Sequence, residues 1–112
     1  MAAGNYDIVI DQGSDFSIEL VVAQNGSPVN LSSNTESAQL RPTPTSSTLT
    51  ATFSCTVTNA AQGKLTMSLG YALTRNVASG KYYYDLELFN SSANSITRLI
   101  QGVARVTAEV TR

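Results

Sequence analysis

The sequence predicts an all-β fold, a single sandwich of two packed antiparallel sheets with about seven or eight strands. Two observations support this prediction. Hydrophobic residues recur at every second position along most of the chain, which is the period of a strand with one buried face. Turn-forming segments separate these stretches at intervals of roughly 8 to 12 residues, as in sandwiches and barrels.

The composition agrees with this fold class. Ser, Thr and Asn make up 35 of the 112 residues, whereas only 13% of residues are charged. Thr suits a pleated, half-buried surface, and Ser and Asn suit turns. A length of 112 residues is typical of one domain, so we expect residues 1–112 to fold as a single β-sandwich.

The first half of the chain contains three predicted strands. "NYDIVIDQ" and "DFSIELVV" alternate, and the "QNGSP" segment at 24–28 predicts a turn because Asn-Gly readily adopts positive φ. "PVNLSS" predicts a short edge-like segment after this turn. "ESAQLRP" predicts the third strand, ended by its proline. The residues expected to face the core are Tyr6, Ile8, Ile10, Phe16, Ile18, Leu20, Val22, Ala38 and Leu40.

The second half predicts two more strands and a long hairpin. "TLTATFSCTVT" and "KLTMSLG" alternate around the turn "NAAQG", and "YALTRNVASG" predicts a short helical turn or loop. "KYYYDLELF" and "SITRLIQGVARVTAEVT" form the hairpin, in which Gly102 suggests a bulge. Predicted core residues are Leu49, Ala51, Phe53, Cys55, Val57, Leu65, Met67 and Leu69, with a small-residue face at Ile100, Gly102, Ala104, Val106, Ala108 and Val110. Leu99 falls on the opposite face.

Three consecutive tyrosines begin the first strand of that hairpin. Alternation places Tyr82, Tyr84, Leu86 and Leu88 towards the core, and Tyr83, Asp85, Glu87 and Phe89 on the outer face. A glycine followed by a strand-opening tyrosine resembles the tyrosine corner of immunoglobulin-like sandwiches. We therefore assign corner or core roles to Gly80, Tyr82, Tyr84, Leu86 and Phe16.

The outer face of this strand has two interpretations. Asp85 and Glu87 are expected to form cross-strand ion pairs with Arg98 or Arg105. The rings of Tyr83 and Phe89 suit either a protein–protein contact or a cover provided by a loop of the same chain.

Residue types argue against catalysis. The chain has no histidine, and its one cysteine, Cys55, therefore lacks a His partner. Asp7, Asp11 and Asp15 are interpreted as turn-capping carboxylates, because a calcium site near Asp11 and Asp15 would need more oxygen ligands. We expect no enzyme activity, no cofactor and no metal.

Charge and hydropathy limit the partners. The net charge of −1 and the scattered basic residues disfavour nucleic acid. The "MAAGNYDIVI" start lacks the pattern of a secretory signal, and no apolar stretch is long enough to span a membrane. We expect synthesis in the cytoplasm and no membrane partner.

Several segments together resemble a group of small structural proteins of tailed bacteriophages. The segments are "YDIVIDQGSDFSIELVV", "NGSPVNLS", "AQLRPTP" and "ASGKYYYDLELFNSSANSITRLIQGVARVTAEVTR". In that group an N-terminal "QGs.F" strand precedes a "pvdL" segment, and the chain closes with "G.Y.YDLel" and "G.v.V..evTr". The matching positions are Gln12, Gly13, Phe16, Pro28, Leu31, Arg41, Gly80, Tyr82, Tyr84, Asp85, Leu86, Gly102, Val106, Thr111 and Arg112.

The resemblance implies an immunoglobulin-like sandwich that joins virion proteins in the tail, baseplate or neck, similar to the N-terminal domains of baseplate attachment proteins. Its expected partners are other virion proteins and copies of itself, after assembly in the bacterial cytoplasm. The candidate contact residues are Tyr83, Asp85, Glu87, Phe89 and Arg112, together with both chain ends. The alternatives are a capsid decoration or head-fibre protein, and a sandwich that binds host glycans.

Overall fold

The computed structural model describes residues 4–24, 26–32, 34–90 and 95–110. Within these ranges the chain forms ten strands, one 3-10 turn and one single-turn helix. They are β1 (Gly4–Asn5), β2 (Ile8–Asp11), β3 (Phe16–Val21), β4 (Ala23–Gln24), β5 (Ser27–Pro28), β6 (Asn34–Arg41), β7 (Ala51–Asn59), the 3-10 turn (Ala60–Gln62), β8 (Lys64–Leu69), α1 (Tyr71–Thr74), β9 (Gly80–Asn90) and β10 (Ser95–Thr107). The all-β prediction is confirmed.

Eight of the strands are hydrogen-bonded into one sheet. Its order is β1-β10-β9-β6-β7-β8-β3, with β2 also paired to β10, while β4 and β5 form a separate small hairpin. Strand β7 joins the two halves, because residues 51–53 pair with β6 and residues 54–59 pair with β8. The predicted division into two separate sheets is not confirmed, since the hydrogen bonding continues through β7.

The sheet is mixed, so the prediction of purely antiparallel strands is wrong at one edge. Both β1 and β2 run parallel to β10. After β2 the chain turns at Gln12 and Gly13 and continues as β3 in the other half of the sheet. β2 does not form a hairpin with β3, its neighbour in sequence. It pairs instead with β10, the last strand, and the two strands run in the same direction.

The core lies between the two halves of this sheet. The alternation predicted for β6, β8 and β9 is present, with Leu40, Leu65, Met67 and Leu86 fully buried. Phe16 and Phe53 have ring centroids 6.1 Å apart, and Phe53 and Tyr84 have centroids 6.2 Å apart. This aromatic series connects β3, β7 and β9 across the interior at distances typical of favourable ring pairs.

A bulge changes the phase of β10. The pairing register with β9 shifts between Arg98 and Ile100, so Leu99 points into the core and is only 4% exposed. The prediction that Leu99 lies on the outer face was therefore wrong. The bulge predicted at Gly102 is also wrong, because the register is regular there.

Gly102 has a different structural role, which is to let the N-terminal segment approach closely. A Cβ atom at this position would lie 2.2 Å from the carbonyl oxygen of Tyr6. The Tyr6 amide donates a 3.0 Å hydrogen bond to the Gln101 carbonyl beside it. The glycine is therefore required by the backbone that crosses over it.

Four predicted core positions are exposed because they lie at or beyond strand ends. Leu49 precedes β7, and Tyr6 lies in the break between β1 and β2. Ala108 and Val110 follow the end of β10, and Val110 is 92% exposed. A period-two pattern in the sequence continues past the end of a strand, whereas burial does not.

The predicted turns near Gly26 and Gly63 are present in the described residues. Gly26, with φ 79°, lies between β4 and β5, although Asn25 is outside the described residues. Asn59 caps the 3-10 turn, which ends at Gly63. The residues 91–94 that link β9 and β10 lie outside the described ranges. Among the described residues, no helix is long and apolar enough to cross a membrane.

The close approach at Gly102 gives a stability prediction. We expect Gly102→Ala to lower the free energy of unfolding by about 1 to 3 kcal/mol, because the added methyl group overlaps the Tyr6 backbone. Urea denaturation followed by circular dichroism measures this change.

Gly70→Ala is the matched control. Gly70 has φ −72° and no atom within 4 Å of the position of a Cβ. The free energy of unfolding of Gly70→Ala should therefore stay within about 0.5 kcal/mol of the wild-type value. If Gly102→Ala and Gly70→Ala lowered the free energy of unfolding equally, the result would contradict the crossing of the N-terminal segment over Gly102.

Candidate functional site: a groove on the outer face of the sheet

The outer face of β6, β9, β10 and β1 forms an open groove with a volume of about 780 Å³. In antiparallel pairs, directly opposed residues point to the same face. Tyr83 is opposed by Arg41 and Val103, and Asp85 is opposed by Gln39 and Gln101. The residues that line this outer-face groove are Asn5, Asp7, Gln39, Arg41, Pro44, Tyr83, Tyr84, Asp85, Glu87, Arg98, Gln101, Gly102 and Val103.

Ionic and hydrogen-bond contacts, within strands and between β9 and β10, link several side chains of the groove. The Arg98 Nε atom lies 3.4 Å from the Asp85 carboxylate, and an Arg98 amino group donates to Gln101 Oε1 at 3.1 Å. On the other side, Arg41 donates to Gln39 Oε1 at 2.9 Å and to the Ser46 carbonyl at 3.3 Å. The predicted cross-strand ion pair is therefore present between Asp85 and Arg98.

Glu87 was expected to form a similar pair but does not. It is half-buried, and in the described part of the chain its carboxylate has no hydrogen bond or ion pair. Arg98 is opposite Glu87 in the strand register but turns to Asp85 instead. Arg105, the other expected partner, lies opposite Lys81. The groove thus contains one carboxylate whose acceptor sites are open to a ligand.

Tyr83 supplies the one outward-facing aromatic ring in the groove. The Lys81 ammonium lies 5.4 Å from the centroid of this ring, a cation–π contact that restricts the ring orientation. Among the described residues the Tyr83 hydroxyl has no hydrogen-bond partner. It is available both as a donor and as an acceptor.

Phe89 is not part of the groove, although it lies on the same face of β9. Phe89 is 38% exposed and is directly opposed by Ile96, which is 64% exposed. We call these two side chains the end patch. The outer-face set expected from the sequence is therefore divided, with Tyr83, Asp85 and Glu87 in the groove and Phe89 in the end patch. Arg112 lies outside the described residues.

Several groove residues could not be identified from the sequence. Gln39, Arg41 and Gln101 come from strands that pair with β9, so their positions depend on register. Asn5 reaches the groove because β1 pairs in parallel with β10. The opposite-charge spacing of Asp85 and Arg98 within one predicted hairpin was the only sequence signal for the network.

The tyrosine hydroxyls of the inner face bind backbone carbonyls. Tyr82 donates to the Ala78 carbonyl at 2.6 Å, four residues upstream, and Tyr84 donates to the Tyr6 carbonyl. The first of these is the hydrogen bond that the corner interpretation requires. Burial, with smaller contributions from Tyr6 and Asp7, raises the pKa of Tyr84 to about 12.

The three aspartates near the N-terminus each accept a hydrogen bond from the protein. Asp7 accepts from the Val103 amide at 3.0 Å, Asp11 from the Thr107 hydroxyl at 2.8 Å, and Asp15 from the Tyr71 amide at 2.7 Å. In the described ranges, no three acidic or cysteine side chains come together as a metal site. These carboxylates fix the N-terminal segment and the start of α1.

Glu36 and Cys55 form a second polar feature, on the inner side of the sheet. One Glu36 carboxylate oxygen is buried without a hydrogen-bond partner, and burial raises the pKa of Glu36. Burial, and secondarily the negative charge of Glu36, raises the pKa of the Cys55 thiol. A thiol that stays protonated is a poor nucleophile, which agrees with a structural position for Cys55.

The inner-face hydroxyls lead to a comparison of three variants. Tyr84→Phe should lower the free energy of unfolding by about 1 to 1.5 kcal/mol, and Tyr82→Phe by about 0.5 to 1 kcal/mol, because each loses one hydrogen bond. Tyr83→Phe is the matched control and should change it by less than about 0.5 kcal/mol, since its hydroxyl has no partner. A loss of similar size in all three variants, measured by urea denaturation, would show that the hydroxyl contacts are not as described.

The raised pKa of Tyr84 also predicts a pH dependence. The folded state binds the proton more tightly than the unfolded state, whose tyrosines titrate near pH 10. The contribution of Tyr84 to stability is therefore fully present below pH 10 and is lost as the pH rises from 10 through 12. Unfolding curves of wild type and Tyr84→Phe should converge over this interval, and a constant difference would contradict the assignment.

Comparison with known proteins adds no family assignment to this geometry. The chain matches no protein-family model, and no curated protein is significantly similar to it in sequence.

Proposed function

We propose that the chain is a non-enzymatic virion structural protein of a tailed bacteriophage, an assembly module that joins neighbouring proteins of the tail, baseplate or neck. The ordered sequence resemblance from Gln12 to Arg112 suggests this class of protein. The observation that carries the proposal is the exposed end patch of Phe89 and Ile96, which lies on two paired strands of the sheet outside the groove.

The strand order supports the immunoglobulin-like part of the proposal. In that fold one sheet contains adjacent strands B, E and D and the other contains C, F and G. Here β3-β8-β7 takes the first order and β6-β9-β10 takes the second, with β7 shared between them. The Tyr82–Ala78 hydrogen bond occupies the place of the tyrosine corner.

The end patch has the features of a protein contact. A ring and a branched aliphatic side chain lie directly opposite each other on two paired strands, so little conformational entropy is lost when they are covered. A stable interface buries about 1,600 Å² in total, far more than two side chains provide. The end patch is thus the centre of a larger contact that includes polar residues around it.

Open strand edges offer a second means of contact. Both chain ends were candidate contacts from the sequence, but β1 and β2 are already paired with β10 of their own chain. In the described sheet, the outer edge of β3 remains open over six residues that pair with β8 without a register shift. We therefore place strand addition by a neighbouring protein at β3.

The apolar contact is tested in phage particles. The double variant Phe89→Ser/Ile96→Ser should reduce incorporation of the chain into purified particles by at least about tenfold, since hot-spot residues contribute 2 kcal/mol or more. Quantitative mass spectrometry of particles from cells that express each variant measures the incorporation.

Leu49→Ser is the control, because Leu49 is also exposed but lies before β7 and away from the end patch. Both variants should keep the melting temperature of the wild-type chain. Normal incorporation of the double variant, or absence of the wild-type chain from particles, would refute the proposal. Separation of heads from tails distinguishes tail assembly from the alternative of a capsid decoration protein.

A further inference from the structure

We propose that the outer-face groove is a binding site for a short stretch of a neutral polysaccharide. This inference goes beyond the assembly role and uses a different surface, since the end patch lies outside the groove. It makes the chain a carbohydrate-binding component as well as a structural one.

The groove contains both hydrogen-bond donors and hydrogen-bond acceptors. Acceptors are the open carboxylate of Glu87 and the hydroxyl of Tyr83, and donors are the remaining N–H groups of Arg41 and Arg98. The Oε1 atoms of Gln39 and Gln101 are bound to these arginines, so their amide nitrogens are turned away from the guanidinium groups. Sugar hydroxyls donate and accept at once, and such a mixture is complementary to adjacent sugar hydroxyls.

The balance of charge disfavours an anionic ligand. Three carboxylates line the groove against two guanidinium groups, and one of those guanidiniums is paired with Asp85. A nucleic acid or a phosphorylated ligand requires a surplus of basic side chains. A neutral ligand avoids the cost of leaving either set of charges uncompensated.

The composition also disfavours a protein segment as the occupant. The centre of a protein interface is depleted in charged side chains and contains apolar anchors. Five of the groove residues are ionised, and its aliphatic side chains are Pro44 and Val103. The apolar anchors on this face are instead in the end patch, so the two surfaces suit different partners.

Tyr83 supplies the surface against which a sugar ring can lie. Its ring lines the groove beside Asp85, and the Lys81 contact restricts its orientation before any ligand arrives. The structure brings the Tyr83 ring together with the acidic side chain of Asp85 and the amide side chain of Asn5 in one groove. The volume of about 780 Å³ falls within the usual range of small-ligand sites.

The site is also rigid, which favours binding of a flexible polar ligand. Its side chains arise from paired strands, and the Arg98–Asp85 and Arg41–Gln39 contacts fix them in advance. Side chains that are already ordered lose little entropy when a ligand binds.

The experiment presents the labelled chain to an array of bacterial polysaccharides. Neutral O-chain polysaccharides and neutral capsular polysaccharides form separate arms, which identify the source of the glycan. We expect binding in at least one arm, and a fall of at least about tenfold in affinity for Tyr83→Ala and for Glu87→Gln. Phe89→Ala is the matched control on the same strand face and should bind as wild type does.

The variants must keep the wild-type melting temperature, so that lost binding is not lost folding. An arginine-containing peptide serves as a further arm, because the open Glu87 carboxylate is also complementary to a guanidinium group. No polysaccharide binding, binding that survives in Tyr83→Ala, or Glu87-dependent binding of the peptide alone would each overturn the proposal. The Tyr83→Ala variant should still be incorporated into particles. Failure of the polysaccharide-binding proposal can therefore be distinguished from failure of the assembly proposal.

Discussion

The contact between the backbone of Tyr6 and strands β9 and β10 is the constraint on which both faces of the sheet depend. The Tyr6 amide donates to the Gln101 carbonyl, the Tyr6 carbonyl accepts from the Tyr84 hydroxyl, and the backbone of Tyr6 passes over Gly102. These contacts of one residue fix the N-terminal segment against the last two strands. On one side this segment covers Tyr84 at the end of the aromatic series, and on the other its position allows Asn5 and Asp7 to line the outer-face groove.

Strand β9 distributes its side chains between two environments. Its neighbours β6 and β10 pair with it on both edges, so its backbone hydrogen bonds are satisfied within the sheet. Tyr84, Leu86 and Leu88 are buried, whereas Tyr83, Asp85 and Glu87 line the groove. Changes on the outer face are therefore expected to affect binding more than folding, because they remove no core packing.

The sequence predicted those parts of the fold that depend on local chemistry. Alternation identified the inner residues of β3, β8 and β9, and the turns near Gly26 and Gly63 followed from their glycines. The bulge at Leu99, the parallel pairing of β2 and the sharing of β7 between two halves depend on how distant strands meet. The same limit applies to the groove, because Tyr83 and Asp85 were recognised within one strand but Arg41 and Gln39 belong to its neighbour.

Glu36 and Glu87 together show why accessibility, and not burial alone, identifies the candidate site. Glu36 has the raised pKa and a buried oxygen without a partner, yet it lies opposite Leu88 on the inner side of β6 and does not line the outer-face groove. Its desolvation lowers stability without presenting the carboxylate to a ligand. Glu87 is unpaired among the described residues, and it lies in an open groove beside a restrained aromatic ring and fixed guanidinium groups. A ligand with hydroxyl groups can compensate the Glu87 carboxylate directly, which is why the binding proposal rests on this glutamate.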